Sequence, residues 1–195
     1  MVTGVLVLIL LITTTNLTAM AIVKEKEVGT LEQLMVTPIR SFELILGKLF
    51  PFIIVGMTNV CVVLTVMVFG FGIPIKGSVL LLFVLTGIFL MTSLGVGLFV
   101  STISKTQQQA MMTAIFFVMM PMMYISGFVF PIENMPMPLQ YISLFIPMRY
   151  YLVIVRSIIL KGVGLDILWP QAVMLLTMGL AILVASALRF RKKLD

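Results

Sequence analysis

The charged residues of this chain that stand close enough to act together lie in its polar connections. The densest group is Lys24-Glu25-Lys26-Glu27, followed at once by Gly29, Thr30 and Glu32. Acidic and basic residues alternate here in a short polar connection between apolar runs. They lack what proton transfer or nucleophilic attack requires. The sequence contains no histidine, the usual general base and commonest metal ligand. Its single cysteine, Cys61, sits in an apolar run, cannot close an internal disulfide and has no ligand cluster around it. It reads as a small hydrophobe facing lipid or a neighbouring helix. Gly47-Lys48 is followed by Leu49 and lacks the upstream glycine of a phosphate-binding loop. The expectation is therefore a chain with no catalytic residue, no metal and no cofactor of its own.

What the first polar connection can do is dock. Thr30 followed by Gln33 fits a capping box, in which the two side chains satisfy the first free amides of a helix. Glu32 falls in the first turn, where a negative charge complements the helix dipole. Pro38 biases Thr37 away from helical geometry, so a two-turn helix over Leu31–Val36 has both its start and its stop encoded. Leu31, Leu34 and Met35 form one apolar face, with Glu32 and Gln33 off it. A helix lying on lipid headgroups is the competing reading, but such helices favour a basic polar face. This one carries an acidic residue in its body, with Glu25 and Glu27 just ahead. It reads as a peg for a protein socket.

The elements that hold this peg are unusually apolar. Hydrophobic residues make up 61% and charged residues 10%, against about 45–50% and about 25% in soluble domains. A membrane helix needs about 20 apolar residues, and five runs meet that test without a charge: Val2–Val23, Leu49–Gly72, Ser78–Val100, Ala110–Phe130 and Ile167–Leu188. The first lacks the basic start and small-residue cleavage site of a signal peptide. The fold class predicted is an all-α membrane protein, one transmembrane domain over residues 1–195. Its parts are a polytopic bundle of about five spans, a cytoplasmic loop over 24–48 and an outer re-entrant segment over 131–166. The net charge of +6 resides in short clusters between apolar runs, which excludes a nucleic-acid-binding face and fits the positive-inside rule. Nine lysines and arginines fall on the side of Lys24, Lys48, Lys105 and Lys193, and four on the side of Lys76, Arg149, Arg156 and Lys161. That bias predicts an N-terminus outside and a C-terminus in the cytoplasm.

Pro138–Leu160 is apolar enough to invite a sixth span, yet it holds Pro147, Arg149 and Arg156. Each charge at membrane depth costs about 2.5–3.5 kcal/mol on insertion scales. One or two short helices that dip in and return, the second starting at Pro147, fit better. Glu133 is placed to pair with Arg149 or Arg156. Ser93, Gly97 and Ser101 form a small-residue ladder that lets helices approach closely, within the chain or at a dimer seam. Pro121, among the methionines of the fourth run, is expected to kink it and free a carbonyl near Phe117. No span carries Asp, Glu, Lys, Arg or His, so any uphill transport must draw its energy from a partner.

The run Ala21-Ile-Val-Lys-Glu-Lys-Glu-Val-Gly-Thr-Leu-Glu-Gln-Leu-Met-Val-Thr-Pro-Ile39 resembles the signature loop of ABC-transporter permeases of the type-2 exporter family. A second stretch is similar to that family's outer re-entrant region: Ser126-Gly127-Phe-Val-Phe-Pro131-Ile-Glu133-Asn-Met-Pro136, then Pro147, Arg149-Tyr-Tyr151, Arg156 and Leu160-Lys-Gly162. The resemblance implies a permease of the cell (inner) membrane whose Leu31–Val36 helix couples to an ATP-binding-cassette ATPase. The residues it assigns to coupling are Glu25, Glu27, Gly29, Thr30, Leu31, Glu32, Gln33, Leu34, Thr37 and Pro38. ATP and magnesium would be bound by that partner, and a second permease subunit, identical or sibling, would complete a dimer in the lipid bilayer. It further implies that the chain starts at the family's second span, without the first span and the external domain. An ATP-independent channel or carrier, or a non-transporting scaffold subunit, is the alternative reading.

Overall fold

A computed structural model of the chain describes residues 2–29 and 41–192, with side chains within 3–29 and 47–189. Helix α1 (Val2–Val28) is followed by α2 (Ser41–Thr65), which runs into a π-helical turn at Val66–Gly70. Helix α3 (Val79–Ile103) comes next. Helices α4 (Gln107–Thr113) and α5 (Met120–Ile125) are joined by a π-helical segment over Ala114–Met119. A 3₁₀ turn at Ile132–Asn134 precedes α6 (Met137–Ser143). Then come α7 (Pro147–Arg156), its π-helical continuation Ser157–Lys161, and α8 (Leu165–Lys192). Among the described residues five helices are long and apolar enough to cross a membrane: Thr3–Val28, Gly47–Gly70, Val79–Ile103, Gln107–Ile125 and Leu165–Arg189. No strand occurs among the described residues, and the chain is a polytopic all-α bundle.

Helix α3 is the axis of the bundle. Successive residues of a helix are turned about 100° from one another, so Ser93 and Gly97 share one face while Gly95 lies nearly opposite. The first face receives α1: a β-carbon on Gly97 would stand 2.8 Å from the carbonyl oxygen of Thr15 and 2.9 Å from Thr18 Cβ. The second receives α8: one on Gly95 would meet the backbone of Leu183 at 3.2 Å. Ser186 Oγ donates to the Gly95 carbonyl at 2.9 Å. Small residues on both faces therefore let two helices close on α3. Accordingly α1 and α3 are about half buried, 50% and 56% of their apolar windows, against 17–22% for the other three spans. Those three turn broad apolar faces outward, as lipid-facing helices do.

The helical limits differ from the apolar runs in two places, each for a physical reason. Helix α1 has 27 residues, about 40 Å at about 1.5 Å per residue, against about 30 Å of hydrocarbon. It therefore projects beyond the apolar layer, and the Lys24–Glu27 part of the predicted loop is helical. It stops at Gly29, whose φ of +78° suits glycine. In the fourth span, Pro121 occupies the first turn of α5. The π-helical segment before it carries a Met120 N–H to Ile115 carbonyl bond, one residue wider than the α pattern. A register shift thus accommodates the proline expected to kink the span.

Between α6 and α7 the chain bends by 81°, and neither Met137–Ser143 nor Pro147–Lys161 reaches the length a crossing needs. Pro147 sits at the start of α7, where its missing N–H costs no helical bond. Met148, Tyr151, Leu152 and Val155 all lie on one face of α7 and are fully buried, or nearly so, in the main core. Arg149, Val153 and Arg156 fall on the other face. Tyr151 stacks on Phe89 with ring centroids 4.1 Å apart and planes 7° apart. Thr86 Oγ1 donates to the Leu82 carbonyl at 2.6 Å, so Tyr151 donates its O–H to Thr86, at 2.7 Å. Tyr151→Phe keeps the ring and loses only that bond, at a cost of about 1 kcal/mol. The expected result is a fall of about 2–4 °C in the thermal midpoint of the detergent-solubilised chain. An unchanged midpoint would mean the bond adds nothing to the dock of α7.

Candidate functional site

The end of the bundle that carries Lys24–Gly29 is where polar side chains converge. The projecting turn of α1 reaches two other spans and the connection ahead of the fourth. Glu25 forms an ion pair with Lys48 of α2, tying together the two helices that flank residues 30–40. Lys26 Nζ donates to the carbonyl oxygen of Ser104, just past the end of α3, at 3.2 Å. Glu27 holds α4: its Oε1 accepts the Gln107 backbone N–H at 3.1 Å, and its Oε2 accepts Gln107 Nε2 at 2.7 Å. Gln107 is the first residue of that helix, so the carboxylate sits on a free amide at the positive end of the dipole. The same helix start is capped by Thr106 Oγ1, which accepts Gln109 N–H at 3.2 Å. Gln109 Oε1 reaches back to Lys105 N–H at 2.9 Å, closing a reciprocal cap.

Of the residues assigned to coupling, Glu25, Glu27 and Gly29 are described, and they form the root of the connection. Thr30, Leu31, Glu32, Gln33, Leu34, Thr37 and Pro38, with the predicted Leu31–Val36 helix, lie outside the described residues. The two described carboxylates bond to Lys48 and Gln107, which ties the connection's root to neighbouring helices.

The second predicted group lies at the opposite end of the bundle. Gly127 turns the chain with φ +85°, and its α-carbon comes so near Ile132 that a β-carbon would stand 3.0 Å from it. Pro131 caps the 3₁₀ turn that contains Glu133, and Glu133 is exposed. The expected pairing of Glu133 with Arg149 or Arg156 does not occur among the described residues. Arg149 instead donates to Ser143 Oγ and, at 3.4 Å, to the Gln140 carbonyl. The Ser143 hydroxyl and the Gln140 carbonyl are held at the end of α6, Ser143 Oγ itself donating to Gln140 O at 2.6 Å, whereas an exposed carboxylate offers little. Arg149 thereby braces the 81° corner, and Arg156 is half-buried on the same face of α7.

The packing residues lie in the core. Ser93 and Gly97 face α1, and Ser101 donates to its own helix at Leu98 O, 2.6 Å away. Around Ser93 runs a hydroxyl seam that sequence reasoning missed. Thr14 Oγ1 bonds to Ser93 Oγ, Thr15 Oγ1 lies 3.3 Å from the same hydroxyl, and Asn59 Nδ2 donates to Thr13 Oγ1 at 3.2 Å. The signal was present as Thr13-Thr14-Thr15-Asn16, a polar run in the middle of an apolar span. Also missed were Lys26, Lys48 and Gln107, whose partners are remote in sequence. Among the described residues no group of His, Cys, Asp and Glu is placed to hold a metal ion.

These features can be set beside known proteins. The family described as "ABC-2 family transporter protein" matches residues 1–188. The chain is 37% identical over 181 residues to the probable multidrug ABC transporter permease YbhR of Escherichia coli K12, covering 89% of this chain and 49% of that protein. It is 34% identical over 187 residues to the probable multidrug ABC transporter permease YbhS of the same organism, covering 96% and 48%. A more distant likeness, 27% identity over 150 residues, is to ABC transporter G family member 20 of Dictyostelium discoideum, covering 77% and 20%. The chain thus spans about half the length of its bacterial curated relatives. No solved structure matches it.

Proposed function

The chain belongs to the ABC-2 family of transporter proteins, and from that premise we propose that it is the permease of an ATP-driven exporter. It forms the translocation path and draws its energy from a separate ATP-binding-cassette subunit, which binds ATP and magnesium. A second permease copy or sibling completes the path. The membrane is the inner membrane of the cell, with Lys24–Lys48 and the C-terminus on the cytoplasmic side. The corner between α6 and α7 then lies at the outer face, where it dips into the bilayer and returns.

The observation that supports coupling is the root of the first connection. Glu25–Lys48, Lys26–Ser104 and Glu27–Gln107 link α1 to α2, to the end of α3 and to the start of α4. A push on residues 30–40 by an ATPase is delivered at once to several spans, which is what a switch between inward- and outward-facing packings needs. With no Asp, Glu, Lys, Arg or His in the apolar runs, an outside source of energy is the consistent choice.

Proteoliposomes containing the chain, alone or with a co-expressed ATP-binding-cassette ATPase, test this reading. The probe is an apolar fluorescent dye, chosen because the two Escherichia coli relatives are named as multidrug permeases. Dye accumulation is expected only with both subunits and ATP. Movement with the chain alone would make it an ATP-independent carrier, and a stable complex that hydrolyses ATP but moves nothing would make it a scaffold.

A further inference from the structure

We propose that the turn between α2 and α3 is a clasp that positions the re-entrant helix α7, so that the corner between α6 and α7 moves as one body with those two spans. The joint itself rests on geometry alone, and its use in transport rests on the exporter reading. At its far end α7 continues into the π-helical segment Ser157–Lys161 and stops at Gly162, with φ +71°. Gly162 N–H donates to the Ile158 carbonyl and Val163 N–H to the Ser157 carbonyl, both at 3.2 Å. These bonds repeat the double cap of an α-helix end, each one residue wider because the segment is π-helical. The cap leaves the next carbonyl, that of Ile159, to be satisfied from elsewhere. Lys76 of the turn donates its backbone N–H to it at 3.2 Å. Ile158 and Ile159 are fully buried, and a helix end in apolar surroundings needs such a donor, because an unpaired carbonyl there is costly.

Glycine on each side lets main chain lie on main chain. A β-carbon on Gly77 would stand 2.5 Å from the Ile158 carbonyl oxygen and 3.2 Å from its carbon. One on Gly162 would stand 3.1 Å from the Lys76 carbonyl oxygen. No side-chain rotation can loosen a joint of this kind. The turn is also fixed to its own spans. Ile73 N–H donates at 3.2 Å to the carbonyl of Met67, in the π-helical turn that ends α2. Ser78 Oγ caps the start of α3 by accepting Leu81 N–H at 3.4 Å. Ile73 and Ile75 pack on the core that buries Ile158 and Ile159. Earlier along α7, Tyr151 is stacked on Phe89 of α3, so the helix is gripped at two levels. A displacement of α2 and α3 therefore carries α7 with it. A helix that swung by itself would need a joint of side-chain contacts able to slide.

The test uses the full chain with Cys61→Ser, into which K76C and G162C are introduced. A β-carbon on Gly162 would stand 3.3 Å from Lys76 Cβ, close to the about 3.8 Å found across a disulfide. A disulfide is expected to form in membranes under mild oxidation, read as loss of maleimide labelling. In proteoliposomes with the ATPase, dye transport should be the same before and after reduction by dithiothreitol. Transport lost on oxidation and restored by reduction would overturn the proposal, because the clasp would then have to open. So would failure of the disulfide to form in a chain that melts at its parent's midpoint. The positive φ of Gly162 strains a cysteine there, so G77A supplies a second variant. Its hydrogen exchange at the Lys76, Gly162 and Val163 amides is expected to quicken together, by about tenfold. Unchanged exchange, or quickening at Lys76 alone, would equally overturn the proposal. Dye left unmoved by the Cys61→Ser parent would count against the exporter reading, while the disulfide and the exchange still decide the joint.

Discussion

Gly97→Val is expected to cost the bundle its central joint, lowering stability by about 3 kcal/mol or more and leaving little folded chain in mild detergent. The reasoning starts from distance. A β-carbon at position 97 would stand 2.8 Å from the Thr15 carbonyl oxygen and 2.9 Å from Thr18 Cβ. The nearer of these is backbone, so no side-chain rotation relieves the contact. Helix α1 must move away from α3, and the bonds that depend on their closeness go with it. The Thr14–Ser93 hydroxyl pair is the first of them. Overpacking alone costs about 1–3 kcal/mol, and parting a hydroxyl pair in an apolar surrounding adds about 1 kcal/mol. Gly95→Ala should be milder, because its nearest neighbours stand at 3.2 Å. Gly87→Ala, whose β-carbon would lie 3.4 Å from the flexible end of Met57, should be close to neutral and even gain from a better helix former. Thermal midpoints of the three variants in one detergent check the order 97, 95, 87. If Gly97→Val and Gly87→Ala melted alike, the close approach of α1 and α3 would not be what holds the centre.

This order of severity also shows what could be read from residues alone. The five apolar runs announced five spans because hydrocarbon imposes length and excludes charge on any helix, whatever its neighbours. The ladder Ser93-Gly97-Ser101 was visible because small residues at four-residue spacing have few other uses in a membrane. Which helix each would receive was not visible. Ser93 meets α1 and Gly95 meets α8 through contacts distant in sequence, and nothing local encodes the partner. The same holds at the charged end. The mixed charge of Lys24-Glu-Lys-Glu27 was visible but its partners were not: Lys48 meets Glu25 from the next helix. Gln107 for Glu27 lies 80 residues away, and only the fold brings it near. The start of α7 at Pro147 was legible, yet the expected partner of Arg149 was misread. A charge-counting argument favours Glu133, while the geometry of a helix end favours Ser143 and Gln140.

The peg and its root should fail in different ways. Leu31→Asp with Leu34→Asp replaces the apolar face of the predicted helix by two charges. Burying a leucine is worth about 1.5–3 kcal/mol, so losing two from a protein socket removes about 3–6 kcal/mol, or between two and four decades of affinity. The ATPase should therefore no longer co-purify, although insertion is untouched because no span changes. Glu27→Ala is the opposite case. Its carboxylate accepts two N–H bonds from Gln107, but it is exposed, so its contribution to stability is screened and small. The socket contacts remain, so the ATPase should still co-purify. What is lost is the link from the driven connection to α4, and with it the simultaneous movement of several spans. Dye transport is expected to fall at least tenfold at unchanged complex yield, with ATP hydrolysis continuing unproductively. Gln107→Ala should reproduce that uncoupling, and the double variant should be no worse than either single one, since both remove the same link. Additive losses in transport would show that Glu27 and Gln107 act separately. Loss of the ATPase from the Glu27→Ala complex would show that this carboxylate belongs to the docking surface and not to its root.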